Sequence, residues 1–166
     1  MEDMIFRNAV DRDISRIADL ERTPEFRAFV GSWSEEEHLK ILNDPDAAYL
    51  VLEDETGQVI GFALLRGLRA EHNSLELKRI VIGVPNQGFG KKFLEVIVAK
   101  AFDEYGMHRV WLDVFETNAR ARHVYRAFGF HEDGVLREAV YRDGNYHSLV
   151  LMSLLDREYR QARESH

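Results

Sequence analysis

An apolar run that passes through a glycine turn into an amphipathic helix limits what this chain can become more than any other stretch. Residues 75–102 read LELKRIVIGVPNQGFGKKFLEVIVAKAF. Ile80, Val81 and Ile82 predict a buried strand, and Phe89, Phe93, Val96, Ile97 and Ala101 then recur at helical spacing. A strand that enters a helix through Gly88-Phe89-Gly90 makes an anion site. Glycines let the backbone come close to a ligand, and the first-turn amides of the helix have no partner within it. Lys91 and Lys92 add positive charge at the same end.

Two familiar phosphate loops do not fit. A Walker loop ending at Gly90-Lys91 needs glycine where Pro85 stands and Ser or Thr where Lys92 stands. A dinucleotide fingerprint needs a third glycine where the chain has Phe93.

The 166 residues suit a single domain, residues 1–166, with one sizeable core. A formal net charge of −7 argues against a general nucleic-acid binder and is compatible with a cationic amine as partner. With no cysteine, disulfides, thiolate metal sites and a Cys nucleophile are excluded, and the seven histidines show no metal-ligand spacing. No apolar run reaches the ~20 residues of a membrane span, and MEDMIFRNAVDRD has no signal-peptide character, so a cytoplasmic protein is expected.

Along the chain, strand patterns fall at residues 4–7, 47–53, 59–68, 75–82, 109–115, 130–139 and 146–154. Helical patterns fall at residues 11–21, at 34–43 behind a Ser34/Glu37 capping box, in the long helix after Gly90, and at 118–128. Residues 24–33 are aromatic and irregular, as in a loop lining a cleft, and the charged tail 156–166 is expected to fray. The order β-α-α-β-β-β-α-β-α-β-β predicts a mixed, mostly antiparallel sheet of about seven strands with about four helices on its two faces, an α/β (α+β) fold.

After the fifth strand comes ETNARARHVYRAFGF. Its skeleton, N-x-x-A-x-x-x-Y-x-x-x-G-F, is carried by Asn118, Ala121, Tyr125, Gly129 and Phe130. Together with the order of elements, this resembles the GCN5-related N-acetyltransferase (GNAT) superfamily across essentially the whole chain. Within it the chain is similar to the ribosomal-protein N-terminal acetylases and their small-amine relatives. The Gly88–Gly90 turn then corresponds to the family's pyrophosphate loop, Q/R-x-x-G-x-G/A. Pro85 or Lys92 departs from that pattern, depending on the register chosen.

The resemblance implies acetyl-CoA as co-substrate and a homodimer, which is common in the family. It implies that the backbone of Ile80, Val81 and Ile82 pairs with the pantetheine arm, and that Gln87, Gly88, Phe89, Gly90, Lys91 and Lys92 hold the pyrophosphate. It further implies cofactor contacts from Asn118 and Arg122, and Tyr125 as the acid that protonates the departing thiolate. Other readings stand beside these. Asn118 is also placed as an ordinary helix N-cap, and Tyr125 as packing against the Gly129-Phe130 corner. A phenol of pKa ~10 can protonate a thiolate whose conjugate acid is near ~8.5.

Acetyl transfer needs a neutral amine. Near pH ~7.5 an α-amino group of pKa ~7.8 is about one-third neutral, whereas an amine near ~10.4 is neutral in about one molecule per thousand. Glu76 and Asp113, on neighbouring predicted strands, are the candidate bases, with Glu116 a third. The leading expectation is direct transfer to a protein or peptide N-terminal amine. The alternatives are a small amine (polyamine, amino-sugar or amino-acid-like) or a catalytically silent acyl-CoA-binding module.

Overall fold

The computed structural model describes residues 4–23, 33–84 and 88–164. Seven strands form one sheet: β1 (Ile5–Asn8), β2 (Ala47–Glu53), β3 (Val59–Arg66), β4 (Ser74–Ile82), β5 (Arg109–Phe115), β6 (His131–Arg142) and β7 (Asn145–Leu155). Their spatial order is β1-β2-β3-β4-β5-β7-β6. Every neighbouring pair is antiparallel except β4 and β5. Between β4 and β5 the chain returns through a helical crossover, as a parallel pair requires.

Among the described residues there are five α-helices: α1 (Ile14–Glu21), α2 (Glu35–Leu42), α3 (Phe89–Ala99), α4 (Ala119–Phe128) and α5 (Asp156–Glu164). A wider π-type turn, Lys100–Glu104, continues α3. The capping box at α2 forms as predicted: Ser34 accepts from the Glu37 amide, and Glu37 reaches back to the Ser34 backbone.

Two cores sandwich the sheet. One is built from Phe93, Leu94, Ile97 and Val98 of α3 against Leu75, Leu77, Val110, Leu112, Val150 and Met152. The other packs Ile14, Ile17 and Leu20 of α1 against Tyr49, Val51, Phe62, Leu64 and Val81. We call these the α3 face and the α1 face.

The tail expected to fray forms α5 instead. Tyr159 stacks on Phe102 with ring centroids 5.1 Å apart and donates to Asp103 at 3.0 Å, and Arg163 pairs with the same carboxylate at 3.0 Å. One aromatic anchor and a shared carboxylate hold a helix whose composition is otherwise polar. β6 also runs three residues beyond the predicted 139, to Arg142. Of the predicted loop 24–33, only Trp33 lies within the described residues.

Candidate active site

β4 and β5 are hydrogen-bonded only at Ser74↔Arg109, Leu75↔Val110 and Glu76↔Trp111. Beyond Glu76 the strands keep their outer partners, β3 for β4 and β7 for β5, but not each other. The sheet therefore opens toward the carboxyl ends of its two parallel strands. Ile80, Val81 and Ile82 line one lip of the opening, and Asp113, Val114 and Phe115 the other. Crevices at the carboxyl ends of parallel strands are where ligands enter α/β sheets. A backbone edge left unpaired there can accept an extended ligand as an added strand.

The N-termini of α3 and α4 follow the two lips. Gly88 is the N-cap of α3 at φ 73, a left-handed conformation that glycine adopts without penalty. A Cβ added at Gly90 would meet nothing within 4 Å. Among the described residues, then, no neighbour excludes a side chain at position 90. Phe89 packs half-buried on the α3-face core, while Lys91 and Lys92 are exposed, with Lys92 3.8 Å from Glu95. Gln87 lies outside the described residues.

Asn118 caps α4. Its Oδ1 accepts from the Ala121 amide at 3.2 Å, and its side-chain nitrogen has no partner among the described residues. The ordinary N-cap role is thus realised through the oxygen, which leaves the amide nitrogen able to donate. Arg122 is committed internally: it grips Glu132 through two 3.2 Å contacts and donates to the Glu116 carbonyl at 2.9 Å.

Tyr125 sits two turns along α4, half-buried, with its ring 5.8 Å from that of Phe130. Its hydroxyl has no hydrogen-bond partner among the described residues, and burial pushes its pKa up to about 12. The phenol is consequently protonated at any ordinary pH. Gly129, at φ 125, ends the helix while the Gly129 and Phe130 amides both donate to the Tyr125 carbonyl.

Glu76 and Asp113 both point to the α1 face, as Leu75, Leu77, Leu112 and Val114 point to the other. Glu76 is half-buried between Arg66 on β3 and Trp111 on β5. Burial raises its carboxyl above the usual range; Lys78 pulls it down and nearby Asp113 pushes it up. Asp113 itself is exposed. The two carboxylates approach the opening from the α1 face, whereas Tyr125 belongs to the α3 face.

One cluster was not anticipated from the sequence. Glu21 and His38 are fully buried on the α1 face. His38 bridges Tyr49 (2.5 Å) and Glu21 (3.1 Å); Glu21 also accepts from the Trp33 amide at 2.7 Å and pairs with Arg79 at 2.9 Å. The Arg79 guanidinium lies 3.7 Å over the Trp33 ring. The signal was present, because Glu21 falls on the stripe of Ile14, Ile17 and Ala18, seven residues after the first.

A parallel strand pair opened at its carboxyl end, with a glycine-started helix after one lip and an Asn-capped helix after the other, is an arrangement that can take an extended, phosphate-bearing ligand. The profile of the Acetyltransferase (GNAT) family matches residues 14–130, and the chain belongs to that family. It is similar to the spermidine N(1)-acetyltransferase of Vibrio cholerae, 30% identical over 134 residues, 78% of this chain and 76% of that protein. It is also similar to the ribosomal protein bS18-alanine N-acetyltransferase of Haemophilus ducreyi, 28% identical over 148 residues, covering 87% of this chain and 95% of that one. A crystal structure of spermidine N-acetyltransferase from Vibrio cholerae in complex with CoA and spermine superposes with a TM-score of 0.85. The identity is 25%, over 96% of this chain and 99% of that chain. The protein is an N-acetyltransferase that uses acetyl-CoA as co-substrate. No helix of the described residues is long and apolar enough to cross a membrane.

Proposed function

We propose that this acetyltransferase modifies a small primary amine that reaches the opening from the α1 face, with Glu76 taking the amine proton and Tyr125 returning one to the thiolate. The observation that carries the reading is Glu76 itself: a half-buried carboxyl with a raised pKa, on the face opposite Tyr125, beside the point where β4 and β5 part. Bound acetyl-CoA supplies an activated acetyl thioester; the chain supplies placement and protons. The lone pair of the amine forms the C–N bond as the C–S bond breaks. The nitrogen proton passes to the Glu76 carboxylate, directly or through one water, and the Tyr125 phenol proton passes to sulfur. The phenolate then recovers a proton from solvent and protonated Glu76 releases one, which resets both groups. An amine that arrives as an ammonium sheds its first proton to the same carboxylate, and on to solvent, before it attacks.

The raised Tyr125 pKa does not disqualify it. The surroundings that disfavour a phenolate also disfavour a thiolate, so the proton affinities of the two groups rise together. The backbone edge at Ile80, Val81 and Ile82, the amides of residues 87–92 and the Asn118 side-chain nitrogen are our assignments for holding the co-substrate. Arg122 fixes the start of α4 against β6. Asp113 steadies the water or the ammonium beside Glu76.

A small amine is preferred here to the N-terminal amine that leads the sequence reading. Spermidine acetylases are prominent among the relatives. A base with elevated proton affinity also matters most for an amine near pKa ~10.4, which is almost wholly protonated at neutral pH. Release of the CoA thiol with a panel of small primary amines and a peptide bearing a free N-terminus tests the choice. Turnover at least tenfold higher with a small amine is expected. Acceptance of the peptide alone would return the function to protein N-termini.

A further inference from the structure

Two guanidinium groups flank the opening on its α1 face, and each carries a nitrogen left unsatisfied among the described residues. Arg79 Nη1 and Arg142 Nη1 are both buried without a hydrogen-bond partner among the described residues. Arg79 is held rigidly. Its side chain is 6% exposed, its Nε is 2.9 Å from Glu21, and its plane lies on Trp33. It projects to the α1 face because Lys78 is bulged out of β4, which sets Arg79 opposite Leu64.

Arg142 approaches from the other lip, near enough for its charge to act on Arg79. β6 slips register against β7 between Leu136 and Val140, where Glu138 adopts φ 48, and the hairpin bends there. The bend carries Arg142 to 5.0 Å over the ring of Phe115, the last residue of β5. Phe115 is in turn stacked on His147 at 4.7 Å. One arginine thus stands on the β4 lip and the other above the end of the β5 lip. Burial depresses the Arg79 pKa, Glu21 and Tyr49 oppose that, and the Arg142 and Arg66 charges depress it further. The charges of Arg66 and Arg142 thus both act on Arg79, and Glu21 and Glu76 are carboxylates that feel or oppose that positive charge.

A buried donor left unpaired costs about 1–3 kcal/mol, more when charged, and native structures seldom leave one without a reason. Arginine forks match small oxyanions. We infer that Arg79 and Arg142 form an anion subsite for the acetyl acceptor, so that the acceptor is a small primary amine also bearing a carboxylate or phosphate. The inference rests on the small-amine reading above and narrows it: Glu76 receives the amine, and the two arginines receive the oxyanion. A polyamine would bring a second cation against the same guanidinium groups, at a cost in the wrong direction.

The test compares leucine with leucinamide, O-phosphoethanolamine with ethanolamine, and spermidine, by CoA thiol release. In the unaltered protein, kcat/KM at least tenfold higher for the amine that bears an oxyanion than for its counterpart lacking one is expected. The pair with the larger ratio tells carboxylate from phosphate. Arg142→Gln should bring that ratio to within about twofold, and Arg142→Lys should restore part of it. Equal use of leucine and leucinamide together with equal use of the second pair, or spermidine above every anionic amine, overturns the inference and leaves acetyl transfer standing. Calorimetric binding of N-acetylleucine and N-acetylleucinamide with CoA present does not depend on turnover. Tenfold tighter binding of the acid, lost in Arg142→Gln, supports a carboxylate subsite even if the choice of small amines fails. Equal or absent binding of the acid, with no anion preference in the rates, overturns it.

Discussion

Glu76 and Arg79 point to the same face of β4 although they are three residues apart. In an unbroken strand that odd separation would place them on opposite faces. Lys78 is the extra residue: Glu76 pairs with Arg66 and Leu77 with Leu65, and then Arg79 pairs with Leu64. Arg66 and Leu64 share a face of β3, so their partners share one too. The bulge lies just past the last β4–β5 pair, and it turns Glu76 and Arg79 both toward the α1 face while Ile80 and Ile82 return to the α3 face.

Gly90→Asp separates folding from binding. The space around a Cβ at this position is open, and an acidic residue in the first turn of α3 interacts favourably with the helix dipole. Thermal stability should hold or rise slightly. Acetyl-CoA affinity, measured by calorimetry, should fall at least tenfold, because a carboxylate then faces the pyrophosphate. Undiminished affinity would remove the loop from the co-substrate site.

Tyr125→Phe should lower kcat by about a hundredfold or more, the usual worth of a placed general acid, with acetyl-CoA affinity within twofold of the original. Its pH behaviour follows from the pKa of about 12. The acid form is the neutral phenol, so Tyr125 contributes no falling limb to the rate between about pH 8 and 10. The folded pKa lies above the ordinary ~10. The stability contributed by Tyr125 is therefore complete below about 10 and lost as pH rises toward 12. A rate unaffected by the substitution across the pH range contradicts the acid role.

The sequence made the strand–helix junction legible because its two periodicities meet at glycines, and it placed Asn118 and Gly129 at the ends of α4, where the structure has them. All seven strands could be read from apolar runs bounded by turn residues. The Lys78 bulge could not, since the Ile80, Val81 and Ile82 run that follows is apolar on both faces and gives no alternation against which the slip shows. Nor could α5, which one aromatic contact and one carboxylate hold in place. Arg122 illustrates a different limit. The resemblance gives it a ligand contact, and only the fold shows that Glu132 of β6 also holds it. Arg142 became visible only through the bend in a hairpin whose length had been underestimated.

Glu21→Gln should destabilise the protein by roughly 3–5 kcal/mol, the cost of stripping a buried ion pair of one partner. The affected groups are the Arg79 guanidinium, the His38 ring and the Trp33 amide. Chemical denaturation measures it. Because the penalty comes mainly from the stranded charge, a Glu21→Leu, Arg79→Met double variant should be more stable than Glu21→Gln alone. A double variant that simply sums two losses would show that the pair is not coupled.

The pH–rate profile of Glu76→Gln tests the placement of base and acid on opposite faces of the opening most directly. Because burial raises the Glu76 pKa, its carboxylate form is disfavoured in the folded state. The rising limb of kcat/KM it governs should stand above the ordinary carboxylate value of ~4.3, and Gln should stabilise the protein near neutrality. With a small amine acceptor, the expected result is a rate lowered about a hundredfold or more and the loss of that limb, together with a protein at least as stable. A profile that keeps its limb and its height would mean that Glu76 does not take the proton.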